Sequence, residues 1–448
     1  MLIGALIHYP LGWGLMDDAG QLWSIQHEWA RMSLLQVLRV EMAYVYRPVY
    51  TAYCYYLYRV FWGQPKLFYL FNFSLVAAGV LPWTLVLRRQ ASERFRAYVV
   101  PIFVFLVLSA TPVYNLIVYL SLQEKFVVFF GGWAFYFLRR AEEEPSRWGL
   151  FQTAAWVSFV LGVSGKPTAI SFVPAGIFTL MFASDQKGNR RLLPAMAWVG
   201  AALCFGFIFL KQRQGYTSRY AASSGALTQR LLGQNPVFYA LALIGILTAA
   251  LLLVKSSKLG ELQKSRLAAL IWPISLLSYL VVLLPWGLHS YLWSPAMVIG
   301  MGCLALSIDR ILSFVSPESK AFQLAQAGML ASFICATFVV YTVGVARIAR
   351  QAEIPAVVHW LSERLPATDT DVYTMEPCIE AASALTYLTG GHQVIPYLHR
   401  GDPTPSSHPK VWLITRDECP VDPAHKQEFS DVIFQLPHWT IYQRRNVS

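Results

Sequence analysis

The chain has 448 residues, of which 56% are hydrophobic and 15% aromatic, whereas only 14% are charged. Soluble proteins usually carry about 25% charged residues, so the composition excludes an entirely soluble protein and predicts a polytopic α-helical membrane protein. The net charge of +11 does not indicate nucleic-acid binding, because the lysines and arginines form short clusters between apolar runs rather than one basic domain.

Apolar runs recur along the chain, and a spanning helix needs about 20 residues, so the pattern predicts about eleven transmembrane helices. The first runs from Met1 to about Met16. The others lie near residues 67–87, 97–112, 126–138, 148–163, 168–183, 192–210, 236–254, 267–284, 293–308 and 324–345. Residues 1–346 are therefore predicted to form a transmembrane catalytic domain.

Two adjacent aspartates, Asp17 and Asp18, follow the first apolar run in "LGWGLMDDAGQLW". Capping of the helix explains them poorly, because one acid would serve and neighbouring carboxylates repel each other. A carboxylate at a membrane surface can instead act as general base on an alcohol, with a partner group tuning its pKa. The pair is the leading candidate for catalysis.

Residues 17–66 are too polar to span a membrane and are predicted to form a long outer loop. Within "QLWSIQHEWARMSLLQVLR", apolar residues recur at helical spacing with charges between them, which predicts a helix lying in the membrane interface. Its apolar positions are Leu22, Ile25, Trp29, Met32 and Leu35.

Five short connectors determine the predicted orientation: "RRQASERFR", "RRAEEEPSR", "DQKGNRR", "KSSKLGELQKSR" and "DRILSFVSPESK". Together they contain sixteen lysines and arginines, so the positive-inside rule places them in the cytoplasm. The alternate loops, which carry Asp17, Asp18, Glu124, Lys166 and His289, then face the outside, as does the C-terminal segment.

That segment, residues 347–448, is predicted to be a small soluble extracytoplasmic α/β domain. Helices are predicted in "IPAVVHWLSERL" and "CIEAASALTYLTGG", and strands in "DVYTM", "KVWLIT" and "DVIFQLP…WTIYQ". An oxidising compartment would allow Cys378 and Cys419 to form a disulfide, and two unrelated free thiols are the alternative.

The outward-facing polar residues are either solvated loop charges or parts of one site. Taken singly, Lys166 could close a tight turn between two helices, and Glu124 could be an acid at a helix N-terminus. Taken together, the acids could activate a hydroxyl while the basic groups, among them Arg59 and Lys125, bind a leaving phosphate. Group transfer from a lipid phosphate is therefore predicted. The sequence has no Walker loop, HExxH or GxSxG motif, so NTP hydrolysis, zinc proteolysis and serine-hydrolase chemistry lack support.

The order of several segments resembles that of membrane glycosyltransferases of the GT-C fold. An apolar first span is followed by "DDAG", an interfacial helix, "RPVYTAYCYYLYRVFWGQPKLFYLFNF", "TPVYNLIVYLSLQEKFVVFFGGWAFYFLRR", "SGKPTAISFVPA" and "HSYLWSPAMVIG". The branch most similar to this pattern contains protein O-mannosyltransferases and aminoarabinose transferases.

The resemblance implies roles for individual residues. Asp17 or Asp18 matches the catalytic base of the family, and Glu124 matches an acid in the second outer loop that shapes the site. Arg47 and Lys166 match basic positions that contact the donor phosphate or the acids. His289 and Tyr291 of "HSYLWSP" match the polar groups of a late motif in which the family often has an arginine, and this departure leaves the phosphate contacts there open.

The resemblance also implies a polyprenyl-phosphate-linked hexose or pentose as donor, an inverting transfer, and an acceptor hydroxyl on a glycan, lipid or protein. Neither a cofactor nor a divalent metal is expected. The expected location is a bacterial cytoplasmic membrane, with the active site outside and a role in cell-envelope glycans. The alternatives are a transporter or flippase for lipid-linked glycans, and a glycan polymerase or ligase using the loop "KQRQGYTSRYAASSGALTQR".

Overall fold

A computed structural model of the chain describes most of the helical core and parts of both ends. The described residues are 25, 28–44, 46–61, 64–93, 96–110, 113, 116–117, 122–183, 189–220, 236–253, 267–284, 293–313, single helical positions between 319 and 346, 352–364, 370–375, 385, 397–398, 410–416, 421–423 and 425–444.

The described part of the chain is mostly helical. Its α-helices are α1 (Leu34–Tyr44), α2 (Pro48–Val60), α3 (Pro65–Gln90), α4 (Arg96–Ser109), α5 (Glu124–Glu143), α6 (Trp148–Gly165), α7 (Val173–Phe178), α8 (Asn189–Tyr220), α9 (Pro236–Leu253), α10 (Ile271–Leu283), α11 (Ser294–Ser313) and α12 (Ile354–Arg364). Short 3-10 helices at Pro145–Arg147 and Pro167–Phe172 precede α6 and α7, and a π-helical turn at Thr179–Ala183 follows α7.

Every apolar run predicted between residues 67 and 308 coincides with helical structure. Among the described helices, four are long and apolar enough to cross a membrane: Lys66–Gln90, Arg191–Ile208, Pro236–Leu253 and Ser294–Leu312. Pro167–Phe182 and Leu267–Leu283 are shorter apolar helical segments. A polytopic helical architecture follows, while the total of about eleven spans stays a prediction.

The stretch that was predicted as one interfacial helix is interrupted between a helical position at Glu28 and the start of α1 at Leu34. The α-helix starts at Leu34 because Ser33 and Gln36 form a capping box, in which the Ser33 backbone N–H donates to Gln36 Oε1 at 2.8 Å. The predicted continuous helix across residues 21–39 is therefore wrong. Along this stretch Trp29 is buried, whereas Leu35 is 70% exposed; the location in the membrane interface stays a prediction.

Two adjacent glycines allow α3, α5 and the Pro167–Phe172 turn to pack closely. A Cβ atom on Gly131 would lie 2.2 Å from the ring of Phe172, and one on Gly132 would lie 2.7 Å from Trp83 Nε1. The Trp83 indole N–H donates to the carbonyl of Val128 at 2.9 Å. This packing fixes α5, the helix that begins at Glu124, against its neighbours.

Several of the basic connectors meet at one end of the helical bundle. Arg89, at the end of α3, pairs with Glu143 at the end of α5, and Ser92 Oγ donates to Asp309 Oδ1 at 2.7 Å. Glu124 lies at the other end of α5, about 30 Å away along a helix of this length. Within the described residues, the structure therefore separates these three basic connectors from Glu124 as the loop alternation predicts, and the identity of the cytoplasmic side stays a prediction.

The C-terminal region forms a mixed sheet with its own hydrophobic core. Its strands are β1 (Thr370–Met375), β2 (Tyr397–Leu398), β3 (Lys410–Arg416), β4 (Phe429–Gln435) and β5 (Trp439–Arg444), in the order β2-β1-β3-β5-β4. β1 pairs in parallel with β2 and β3, and β5 pairs antiparallel with β3 and β4. Helix α12 joins this core through Ile354, Val357 and Leu361. The boundary at residue 346 and the extracytoplasmic location stay predictions.

Candidate functional site

The central feature of the candidate site is a buried ion pair between Glu124 and Lys166. Lys166 Nζ lies 2.8 Å from Glu124 Oε1, and the side chains are 13% and 1% exposed. Glu124 is the first residue of α5, where the helix dipole favours a negative charge, so the expectation of an N-terminal acid is also met. The structure brings together two of the residues that the sequence singled out.

The local sequence explains how Lys166 reaches Glu124. Pro167 disfavours a helical conformation at the residue before it, so α6 ends at Gly165 and Lys166 is extended, with φ −151° and ψ 121°. A Cβ atom on Gly165 would lie 2.8 Å from Phe126, so glycine permits close approach of α6 to the first turn of α5. Lys166 therefore closes a turn and pairs with the acid at the same time.

Helix α10 supplies a third side of this site. Tyr279 is fully buried, and its hydroxyl faces both Glu124 and Thr168. Thr168 lies in the 3-10 helix directly after Lys166. The acid is consequently surrounded by groups from α5, α6, the 3-10 helix and α10, and this position excludes most solvent from it.

Lys125 is directed toward α2 and α3. It is 1% exposed, and its Nζ donates to Asn72 Oδ1 at 2.6 Å and to the Tyr53 hydroxyl at 3.3 Å. The ammonium group also lies 5.0 Å from the centroid of the Tyr53 ring, within reach of a cation–π interaction. The predicted contact of Lys125 with a donor phosphate stays a prediction.

Arg59 holds the segment before α1 against α2. Its guanidinium donates to the carbonyl of Trp29 at 2.6 Å and to the Tyr55 hydroxyl at 2.8 Å, and it lies 3.9 Å from the Tyr55 ring centroid. The structure does not bring Arg59 into the described contacts of Glu124, and its predicted contact with substrate stays a prediction.

Arg47 belongs to a second cluster of charges, which includes Glu28 and Glu41. Burial raises the pKa of the Glu41 carboxyl most strongly, and the charge of Glu28 raises it further. Arg47, which precedes α2, lowers it by a smaller amount. The net pKa of Glu41 lies above its ordinary value. Among the described residues, no hydrogen-bond partner faces the buried Nε of Arg47.

The shifted pKa of Glu41 predicts a pH-dependent effect of Glu41→Gln. A carboxyl whose folded pKa is raised binds its proton more tightly in the folded state, so stability falls as pH rises from the unfolded toward the folded pKa. We expect Glu41→Gln to raise the thermal midpoint at pH 7 by about 1 °C and to leave it unchanged below pH ~4. Thermal unfolding of the purified protein at both pH values measures this. A larger gain at the acidic pH would contradict the assignment.

Several predicted residues lie outside the described residues. They are Asp17, Asp18, His289, Tyr291, Cys378 and Cys419. Within the described part of the chain, no three histidine, cysteine, aspartate or glutamate side chains come together as metal ligands. The absence of a metal requirement stays a prediction.

The neutral polar residues around the charged ones were not predicted from the sequence; they are Tyr53, Asn72, Thr168 and Tyr279. Asn72 carries the clearest signal in the sequence, because a lone amide within the apolar run "FYLFNFSLV" is costly in a membrane span and is usually functional. Tyr279 and Thr168 carry no comparable signal, since tyrosine and threonine are frequent in helices of this composition.

Comparison with solved structures finds a match that extends across nearly the whole chain. ArnT from Cupriavidus metallidurans, in the apo state, is 12% identical, with a TM-score of 0.48, and the match covers 99% of this chain and 95% of that chain. No protein-family model and no curated protein matches the chain.

Proposed function

We propose that the chain is an integral-membrane glycosyltransferase that moves a sugar from a polyprenyl-phosphate donor to an acceptor hydroxyl at the outer face of the membrane. The observation that carries the proposal is the buried Glu124–Lys166 pair at the end of the bundle opposite the basic connectors. Burial of this ion pair costs several kcal/mol of desolvation, which favours a functional over a purely stabilising role.

The charges of this region suit an anionic lipid head group. Among the described residues around Glu124, two lysines, Lys125 and Lys166, accompany one carboxylate, and Arg47 lies on the interfacial helices. Lysine and arginine stabilise a phosphate that gains charge as it departs. Lys166 is the described lysine with the greater exposure and is therefore the proposed phosphate contact.

The proposed transfer is a single inverting displacement. The acceptor oxygen forms a bond to the anomeric carbon, and the bond from that carbon to the lipid-phosphate oxygen breaks. Asp17 or Asp18 takes the hydroxyl proton as general base, and the lipid monophosphate leaves as an anion held by basic side chains. Glu124 orients Lys166 for that contact. All atoms and charges are accounted for without a metal ion.

Binding of a matched pair of lipids to purified protein tests the proposed donor class. Undecaprenyl phosphate and undecaprenol differ only in the phosphate, so a preference for the first measures recognition of that group. We expect the phosphate to bind at least about tenfold more tightly, which corresponds to about 1.4 kcal/mol. Equal binding of the two lipids would overturn the proposal, and transport of a lipid-linked glycan without sugar transfer would favour the flippase alternative.

A further inference from the structure

The amide of Asn72 has all of its hydrogen-bonding capacity occupied. Its Nδ2 donates to the carbonyls of Leu116 and Ile117 at 2.5 and 2.8 Å, and its Oδ1 accepts from Lys125 Nζ at 2.6 Å and from the Tyr53 hydroxyl at 3.3 Å. An amide has two N–H donors and two lone pairs on its oxygen, so these four partners fill it. Only one orientation of the amide fits them, because carbonyls accept and an ammonium group donates.

These hydrogen bonds tie both ends of an outer connection to one side chain of α3. Leu116 and Ile117 precede the connection, and Lys125 follows it in the first turn of α5. Glu124 lies inside the closed segment, one residue before Lys125. A single buried amide therefore limits how far the first turn of α5, and with it Glu124, can move.

Lys125 is better placed to support this segment than to contact a lipid. Its side chain is 1% exposed, and its ammonium group is already engaged by Asn72 and by the hydroxyl and ring of Tyr53. A buried ammonium group needs such partners to offset the loss of water. Asn72 and Tyr53 take two of its three N–H donors, and the burial of the side chain keeps a phosphate away from the third.

We propose that Asn72 and Lys125 are positioning residues that hold the Glu124 carboxylate against Lys166. Lys166 approaches Glu124 from α6, while Asn72 and Lys125 fix the first turn of α5 from the side of α3. The inference rests on the proposed function, because it assigns a purpose to the geometry of the Glu124–Lys166 pair. It gives Lys125 a role different from that of Lys166.

A mutant cycle tests the proposal without any ligand. Thermal midpoints are measured for Glu124→Gln, Lys166→Met and the double variant, first in the natural background and then with Asn72→Leu. In the wild-type background, the shifts in thermal midpoint caused by the two single substitutions should be strongly non-additive, because either substitution breaks the same ion pair. With Asn72→Leu, or with Lys125→Met as a second background, the shifts should become additive. Ser74→Ala is the matched control, since the one hydrogen bond of Ser74 Oγ to a described residue goes to the carbonyl of Leu70 within α3.

Unchanged non-additivity in both altered backgrounds would overturn the proposal, because a residue that merely stabilises the fold lowers all midpoints equally. Lipid binding separates the two roles of Lys125. If Lys125→Met weakens undecaprenyl phosphate binding at least about tenfold while Asn72→Leu leaves it unchanged, Lys125 is a direct phosphate ligand and the proposal fails. A natural protein that does not distinguish undecaprenyl phosphate from undecaprenol contradicts the proposed function, while the mutant cycle still decides the positioning role.

Discussion

Replacing Lys166 with methionine is expected to destabilise the protein by about 3–5 kcal/mol, because it leaves a buried carboxylate without its partner. The Glu124 side chain is 1% exposed, so water cannot replace the lost ammonium group. Denaturation of the purified protein in detergent, followed by intrinsic fluorescence, measures the loss. The double variant Glu124→Gln/Lys166→Met should recover a large part of it, since both charges are then absent.

An exposed ion pair provides the control for this measurement. The Nη1 atom of Arg147 lies 4.0 Å from Glu144 Oε2, and the Arg147 side chain is 68% exposed. Arg147→Met should change stability by less than about 1 kcal/mol, because water already solvates both charges. A loss of similar size for Lys166→Met would show that Glu124 is solvated, and it would remove the main argument for a buried site.

Replacing the adjacent aspartates is expected to have the largest effect on activity. Asp17→Asn or Asp18→Asn removes the proposed base while keeping the size of the side chain, and general-base catalysis contributes roughly 10²–10⁴-fold to a rate. One of the two variants should lose transfer by about that factor. Release of polyprenyl phosphate from a polyprenyl-phosphate sugar isolated with the protein is the measurement.

The variant that keeps its transfer rate identifies the aspartate that is dispensable, and it serves as an internal control. Both proteins must also insert at wild-type levels and retain binding of undecaprenyl phosphate, so that a slow rate reports chemistry rather than folding. Full activity in both variants would contradict the proposed base and leave the role of "MDDAG" unexplained.

The sequence was most informative where burial in a membrane demands long apolar segments. The helices from α3 to α11 follow the apolar runs, because few other conformations satisfy the backbone in lipid. The start of α1 was recoverable too, since Ser33 and Gln36 form a recognisable capping box. The apolar spacing misled there because it continues through residues that precede the helix.

The site was only partly predictable for a different reason. Loop alternation placed Glu124 and Lys166 on one face, but their contact depends on Gly165 and Pro167, which end α6 at the right residue. The hydrogen bonds from Asn72 to Leu116 and Lys125 span 44 and 53 positions of the sequence. Contacts over such separations are set by helix packing, which a single sequence does not encode in any local pattern.

Identification of the lipid that remains bound to the purified protein tests the central claim most directly. The protein is extracted from its native membrane, and the lipids that co-purify are analysed by mass spectrometry alongside the Lys166→Met variant. The account predicts a polyprenyl phosphate or its sugar-linked form, enriched over total membrane lipid and depleted in the variant. Only ordinary membrane phospholipids, in equal amounts in both proteins, would contradict it.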